Sequence, residues 1–275
     1  MTGSITQNLL GNYRLFTILD EKLKMSPHFD VSLHSKLVAY CDDYCAYHNI
    51  TDISLKENYF NYISTYNKDA RQFLESGKYP AFTGKPINIL GRQQYSIILL
   101  LSTFLTSHRF RIMRHIINKS HSAHNALFVG CGPGLEIYLL KNIVQNIVAY
   151  DLELDTFLRY KHKDVDFRNE YFNGSGTEKY ESIYLIEILE HLEKPYELLA
   201  NCAKVMTDNA ELHLTTATNI PQFDHLYYFD SDHKEFDRTI KAMGFEIIFS
   251  EDIVHEAMTV PIDSKNKYYI LKKKS

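Results

Sequence analysis

Apolar side chains recur at helical spacing through most of the first 120 residues and then fall into short β-rich runs separated by helical ones. In the first part, Asp30 stands where it can cap a helix carrying His34, Leu37, Val38, Cys41 and Cys45. Ser54 can cap a second, with Tyr59, Phe60, Tyr62, Ile63, Tyr66 and Phe73 on its apolar side, ending near Gly77 and Pro80. After the turn-rich stretch Thr83-Gly84-Lys85-Pro86, a third helix begins around Arg92 and runs through Ile97–Leu101. It is followed by a basic stretch from His108 to His115, with Ile116 and Ile117 continuing the apolar side.

At His121 the texture changes. Residues 120–125 read as a loop, and strands are expected at Ala126–Val129, Ile147–Tyr150, Val165–Phe167, Ser182–Ile186, Glu211–Thr216, Phe245–Phe249 and Lys267–Leu271. Helices are expected between them at Leu135–Val144, Thr156–Lys161, Pro195–Val205 and His233–Met243. Strands alternating with helices of about ten residues imply an α/β chain with a doubly wound, mainly parallel sheet, the last two strands being able to close it as a hairpin. No internal repeat or low-complexity segment interrupts this order. The pattern divides the chain into a helical part, residues 1–120, and a sheet domain, residues 121–275.

The 275 residues are 45% hydrophobic and 23% charged, which excludes disordered, collagen-like and coiled-coil chains. The net charge of −4 gives no global positive field of the kind that advertises nucleic acid. The charge is unevenly spread, however: residues 1–120 carry 14 Lys and Arg against 9 Asp and Glu, and the remainder 16 against 25. The positive part can therefore dock on the negative one. Twenty tyrosines and no tryptophan suit a pocket or a seam, since the ring is apolar and its tip polar. Cys41, Cys45, Cys131 and Cys202 form no CxxC pair, so the expectation is a reducing, cytoplasmic setting without a zinc or disulfide framework. The first residues lack the charged and apolar regions of a signal peptide, and no apolar run approaches the roughly 20 residues of a membrane span.

The sharpest local signal is Leu127-Phe128-Val129-Gly130-Cys131-Gly132-Pro133-Gly134-Leu135, an apolar strand entering a glycine turn that opens a helix. A dinucleotide fingerprint would place its third glycine at Leu135, so the run is GxGxG instead. Asp151 follows 21 residues after Gly130 at the end of the next strand, where a carboxylate can accept two hydrogen bonds from a ribose diol. Here residues 122–275 resemble the class I S-adenosylmethionine-dependent methyltransferases, with a first motif hhxGxGxG and an acidic residue ending the second strand. The resemblance implies a Rossmann-like, seven-stranded sheet on which Gly130, Cys131, Gly132, Gly134 and Asp151 bind S-adenosylmethionine. It places Glu136 near the methionine moiety and Glu170 near the adenine amine, and Glu187 also falls to the cofactor side. The usual Gly-Asp before Glu170 is missing, and a surface carboxylate at a strand end is the alternative there; Glu153 reads as solvent-facing.

Further along, Leu185-Ile186-Glu187-Ile188-Leu189-Glu190-His191 ends in ExxEH. One helical turn after a strand would set Glu187 and Glu190 on one face with His191 beside them, at the carboxyl end of a central strand where open α/β sheets place their ligands. Two carboxylates that close repel unless a cation or shared proton intervenes. Together with His225, in the loop after the following strand, the segment is similar to the metal-dependent ExxEH…H subset of the superfamily. That subset includes small-RNA 2′-O-methyltransferases and ubiquinone-pathway O-methyltransferases. The resemblance implies Glu187, Glu190, His191 and His225 as ligands of a divalent metal, of a kind the donor types leave open. The same residues also suit catalysis without metal, by His191, His225 and Glu190 as acid or base, or a structural role. Asp224 is a further ligand or an orienter of His225, and His255 is another pocket candidate. Arg92, Arg109, Arg111 and Arg114 either hold an anionic group or form a face paired to the acidic half, and Lys272–Lys274 reads as a solubilising end.

These readings converge on an S-adenosylmethionine-dependent methyltransferase acting on a small-molecule acceptor, by O- or C-methylation of a metabolite or natural-product precursor, with residues 1–120 as a lid that sets substrate choice. The alternatives are a metal-dependent RNA 2′-O-methyltransferase, which the acidic domain disfavours, and a non-catalytic S-adenosylmethionine-binding protein. A nicotinamide oxidoreductase is disfavoured by Leu135.

Overall fold

The computed structural model describes residues 4–80, 91–222, 224–256 and 263–274. The Thr83–Pro86 turn lies outside them. Two helices precede the first one expected: α1 (Ile5–Asn12), capped by Ser4, and α2 (Arg14–Lys24), which buries Phe16 and Leu23. α3 (Val31–His48) is capped by Asp30 as expected, its carboxylate accepting the Leu33 N–H at 2.8 Å. α4 (Asp52–Ser76) begins one turn earlier than expected. Its cap is Thr51, which accepts the Ser54 N–H at 3.2 Å, so Ser54 lies inside the first turn and Leu55 is buried. Gly77 closes that helix in the left-handed conformation. α5 (Arg92–Leu105) is apolar on nearly every side and runs through the interior, and α6 (Ser107–Lys119) carries the basic stretch.

The sheet follows. Its strands are β1 (Ala123–Val129), β2 (Val144–Tyr150), β3 (Asp166–Arg168), β4 (Tyr180–Leu185), β5 (Met206–Thr218), β6 (Phe245–Val254) and β7 (Lys265–Lys273), in the order 3-2-1-4-5-7-6. All pairings are parallel except those of β7, which runs antiparallel to both β5 and β6. The closing hairpin is therefore present, with its second strand inserted between β5 and the first. β1 starts at Ala123, inside the expected loop, because its register with β2 extends back to the Ala123–Val144 pair. β5 starts directly at the end of the preceding helix and absorbs the early start in an irregularity between Tyr180 and Ser182 of β4. The connecting helices are α7 (Leu135–Leu140), α8 (Thr156–Lys161), α9 (Pro195–Val205) and α10 (Lys234–Ala242). Winding reverses between β1 and β4, which opens a crevice at their carboxyl ends.

One apolar cluster joins the helical part to the sheet, with Leu37, Tyr40, Leu101, Phe104 and Phe110 packing with Phe128, Ile137, Phe157 and Tyr184. A second fills the opposite face around Leu127, Ile183, Leu199, Leu212 and Phe236. The seam is also polar. Tyr40 donates to the Pro133 carbonyl at 2.7 Å, which leaves its oxygen to accept from His162 Nε2 at 2.9 Å. Tyr44 donates to Asp155 at 2.6 Å, and the other oxygen of Asp155 takes His48 Nε2 and the Phe157 N–H that starts α8. All four cysteines are free and buried. Among the described residues no helix is long and apolar enough to cross a membrane.

The Tyr44–Asp155 bond spans the seam in a buried place, so Tyr44→Phe should lower the unfolding free energy by about 2 kcal/mol, the usual worth of a bond to a charged group. Urea unfolding followed by circular dichroism checks this; an unchanged midpoint would mean the bond contributes nothing net.

Candidate active site

The strand β1 ends in a turn that only glycine accommodates. Gly130 has φ +71°, and a Cβ there would lie 2.7 Å from the Ile188 side chain. Gly134 has φ +77°, and its Cβ would meet Leu158 at 2.5 Å. The Gly130 and Cys131 amides both donate to the Tyr150 carbonyl, while the Gly132 amide donates to Asp151 Oδ2 at 2.9 Å. Asp151 is crowded: its Oδ1 accepts the Glu153 N–H, and the Arg92 fork bonds both oxygens at 3.3 and 3.2 Å while also donating to the Gly132 carbonyl.

Beside this turn lies a cavity of about 220 Å³. Gly130, Cys131, Gly132, Asp151, Glu170 and Glu187 line it; Gly134 does not, and serves the packing beneath the turn. Glu170 is exposed at the rim, and Leu152 and Tyr171, 54% and 57% exposed, flank the same opening. Glu136 faces this cavity, and burial pushes its carboxyl up to about 7.

A second cavity of about 260 Å³ lies between the helices and the strand ends. Its walls are stripes at helical spacing: Leu15, Leu19 and Leu23 of α2, then Tyr59, Tyr62 and Tyr66 of α4, then Tyr95, Ile98 and Ser102 of α5. The two cavities share Tyr95, Leu99, Arg109, Glu187 and His191, which makes these residues the junction.

Glu187 takes a left-handed backbone, φ +54°, between β4 and the short 3-10 turn at Leu189–His191. Its Oε1 accepts from Thr215 Oγ1 at 3.0 Å and Asn266 Nδ2 at 2.7 Å, and its Oε2 pairs with Arg109 at 3.2 Å. The Thr215 hydroxyl in turn accepts the Glu187 N–H. Glu190, His191 and His225 do converge, with one potential ligand atom from each lying within 4.8 Å of the others. Glu190 Oε2 is buried without a hydrogen-bond partner, and burial, with the Glu187 charge nearby, pushes the carboxyl up to about 7.

His191 Nδ1 lies 2.9 Å from the Asp224 carbonyl, so it carries the hydrogen and Nε2 holds the free lone pair. Burial works against charging this ring, but Asp224 and Glu190 outweigh it and its pKa sits above the ordinary value. Burial and the neighbouring His191 hold His225 well below the ordinary range, as a neutral ring. Asp224 thus orients His191 rather than His225. The loop carrying His225 is fastened on two sides: the Glu190 carbonyl accepts the Leu226 and Tyr227 N–H groups, while α4 reaches it through Tyr62, which accepts from Gln222. Just beyond α4, Tyr79 stacks on Tyr228 at 3.6 Å.

The remaining candidates fall on both sides of their alternatives. Arg92 and Arg109 enter the cavities, whereas Arg111 pairs with Glu251 and Arg114 approaches His28. His255 lines the second cavity, stacks on His108 at 3.6 Å and bonds Asn266. Thr215, Asn266 and the tyrosines of α4 were not singled out for the site. The tyrosine spacing was visible in the sequence, but nothing in it joins Asn266 to Glu187, because β7 must first be inserted beside β5.

No family model matches the chain, and no curated protein matches it. Solved structures do. The chain is similar to the N-methyltransferase NodS from Bradyrhizobium japonicum WM9 in complex with S-adenosyl-L-homocysteine, with TM-score 0.50 and 14% identity over 61% of this chain and 87% of that one. It is also similar to the cyclase SpnF, at TM-score 0.49 and 13% identity over 60% and 80% of the two chains. A third similarity is to a Burkholderia thailandensis 1,6-didemethyltoxoflavin-N1-methyltransferase, at TM-score 0.49 and 14% identity over 60% and 79% of the two chains. The fold is thus the Rossmann-like fold of the class I S-adenosylmethionine-dependent methyltransferases, with a helical region before the sheet.

Removing Glu187 leaves the Arg109 charge, 18% exposed, without its counter-ion. Glu187→Ala should therefore cost about 3 kcal/mol of stability in urea unfolding at neutral pH, well beyond a surface ion pair. A loss within experimental error would mean that Arg109 reaches water.

Proposed function

We propose that the chain is an S-adenosylmethionine-dependent methyltransferase whose acceptor is a small molecule enclosed under the helices, residues 1–120 acting as the lid over a methyltransferase domain of residues 121–275. The observation that carries this is the meeting of two cavities at Tyr95, Leu99, Arg109, Glu187 and His191, one running past the glycine turn and the other past the Glu190–His191–His225 cluster. Bound in the first cavity, S-adenosylmethionine supplies a methyl group on a sulfonium, ready for in-line displacement. The glycine turn gives close backbone approach, Asp151 accepts the ribose diol, and Glu170 lies at the base end of the cavity. A flat base between Leu152 and Tyr171 would cover two apolar side chains otherwise left exposed. A diol at Asp151 takes over lone pairs now used by Arg92, which keeps the Gly132 carbonyl.

On the acceptor side, His191 Nε2 takes the proton of an acceptor hydroxyl, with the ring held from behind by the Asp224 carbonyl. The helices exclude water from the junction. The donor set also fits a divalent ion, since Glu190, His191 and His225 converge and Glu190 has an unpartnered buried oxygen. Held there, such an ion supplies Lewis acidity toward the acceptor oxygen. Enclosure of the second cavity by α2, α4 and α5 favours a small acceptor over RNA.

Calorimetry with S-adenosylhomocysteine tests the reading. Wild-type protein should bind it, and Asp151→Ala should weaken binding about tenfold or more through lost hydrogen bonds. Binding of NAD with none of S-adenosylhomocysteine would overturn it. For the ion, Glu190 must be deprotonated and both rings neutral. With Glu190 near 7 and His191 raised, manganese affinity should rise from about pH 6 to about pH 8, by up to about tenfold per unit for each proton displaced. His225→Ala should abolish that rise. If manganese, zinc and iron(II) all fail to bind at about pH 8, the cluster works by acid–base chemistry alone.

A further inference from the structure

Among the described residues, Arg109 is the one Lys or Arg side chain that lines both cavities. A guanidinium has five N–H donors, and the bond Arg109 makes among the described residues is the single contact with Glu187. Glu187 is held independently by Thr215 and Asn266, so it balances the charge of Arg109 without occupying its fork. The cofactor side has its own cation in Arg92, which lines the first cavity alone and is bonded to Asp151 and the Gly132 carbonyl. The second cavity faces Arg109 with flat, mostly apolar walls, including Tyr59, Tyr62, Tyr66 and Tyr95. An anionic oxygen brought into such a slot is costly unless it meets a fixed cation, and a guanidinium is suited to that pairing.

We infer that Arg109 is the acceptor-binding cation, and that the acceptor is a flat apolar molecule bearing an acidic hydroxyl, a phenol or enol, held with its ionised oxygen on Arg109 at the junction. The inference rests on the methyltransferase reading of the site. An aliphatic alcohol hardly ionises and would leave the fork without an anion. A phenol or enol ionises readily and presents one anionic oxygen on a flat body, which matches both the fork of Arg109 and the tyrosine-lined walls.

The test uses the full chain saturated with S-adenosylhomocysteine, with 4-nitrophenol and its neutral methyl ether 4-nitroanisole as probes. Wild-type protein should bind the phenol about tenfold or more tightly than the ether, and should raise the phenolate absorbance of a solution buffered at the pKa of the free phenol. Arg109→Gln should lose both effects while keeping its affinity for S-adenosylhomocysteine, and Arg109→Lys should keep part of the preference. The double substitution Arg109→Gln with Glu187→Gln keeps the local charge balanced and should behave as Arg109→Gln does, which separates lost recognition from lost folding. Equal binding of phenol and ether by the wild type would overturn the inference. So would a variant that loses S-adenosylhomocysteine while keeping the phenol preference, since Arg109 would then belong to the cofactor. If S-adenosylhomocysteine itself does not bind the wild type, it is the methyltransferase reading that fails.

Discussion

The buried carboxylate of Glu187 fixes the centre of this structure. Placed at the end of β4 in a left-handed conformation, it ties β4 to β5 through Thr215, to β7 through Asn266 and to α6 through Arg109. The same backbone turn directs Ile188 against the glycine turn, close enough that any Cβ at position 130 would collide with it. The need for glycine at the end of β1 is thus set in part by a residue nearly sixty positions later. It also starts the short turn that presents Glu190 and His191, whose carbonyl and ring then anchor the loop bearing His225. A left-handed glutamate has a conformational cost that its four hydrogen bonds can offset.

The lopsided charge and the tyrosine excess describe one seam. Arg92, Arg109 and Arg111 of the positive part reach Asp151, Glu187 and Glu251 of the negative part, with Lys161 and Asp43 pairing in the opposite sense. Tyrosines of the helical part complete it: Tyr40, Tyr44, Tyr62 and Tyr79 hydrogen-bond across to the sheet half. A seam of phenylalanines would bury similar area, but would leave the Pro133 carbonyl and Asp155 with fewer partners.

Much of this fold was legible because local chemistry decides it. Asp30 and Gly77 sit at helix ends that short-range hydrogen bonding and backbone freedom fix, and the β1 to glycine turn to α7 passage carries its own composition signature. Strand limits were less legible. Residues 120–125 read as a loop from their serines and histidines, yet pairing with β2 keeps the strand extended back to Ala123. α1 and α2 went unmarked because their burial depends on α3 and α4, which a local pattern does not contain. In the site, the convergence of Glu190, His191 and His225 follows from the ExxEH spacing and the next strand's loop. The bond from Asn266 to Glu187 was not legible, because it comes from a strand inserted out of order.

The junction has consequences for how the two halves work together on the proposed reading. Three carboxyl groups, of Glu136, Glu187 and Glu190, surround it, and mutual repulsion would be severe if all were ionised. Burial pushes the carboxyls of Glu136 and Glu190 up to about 7, and Arg109 neutralises Glu187, so the repulsion at the junction is eased. Asp151 is balanced in the same way by Arg92, at the start of the buried helix α5. Arg92 and Arg109 thus each sit on a carboxylate that lines a cavity. A ribose diol competes with Arg92 for Asp151, whereas an ionised acceptor oxygen does not compete with Glu187, because the fork of Arg109 has donors to spare. On the proposed reading, cofactor binding would rearrange the contact between helices and sheet at one end of α5, and acceptor binding would add to that contact at the start of α6, so the two ligands would act on the seam in opposite ways.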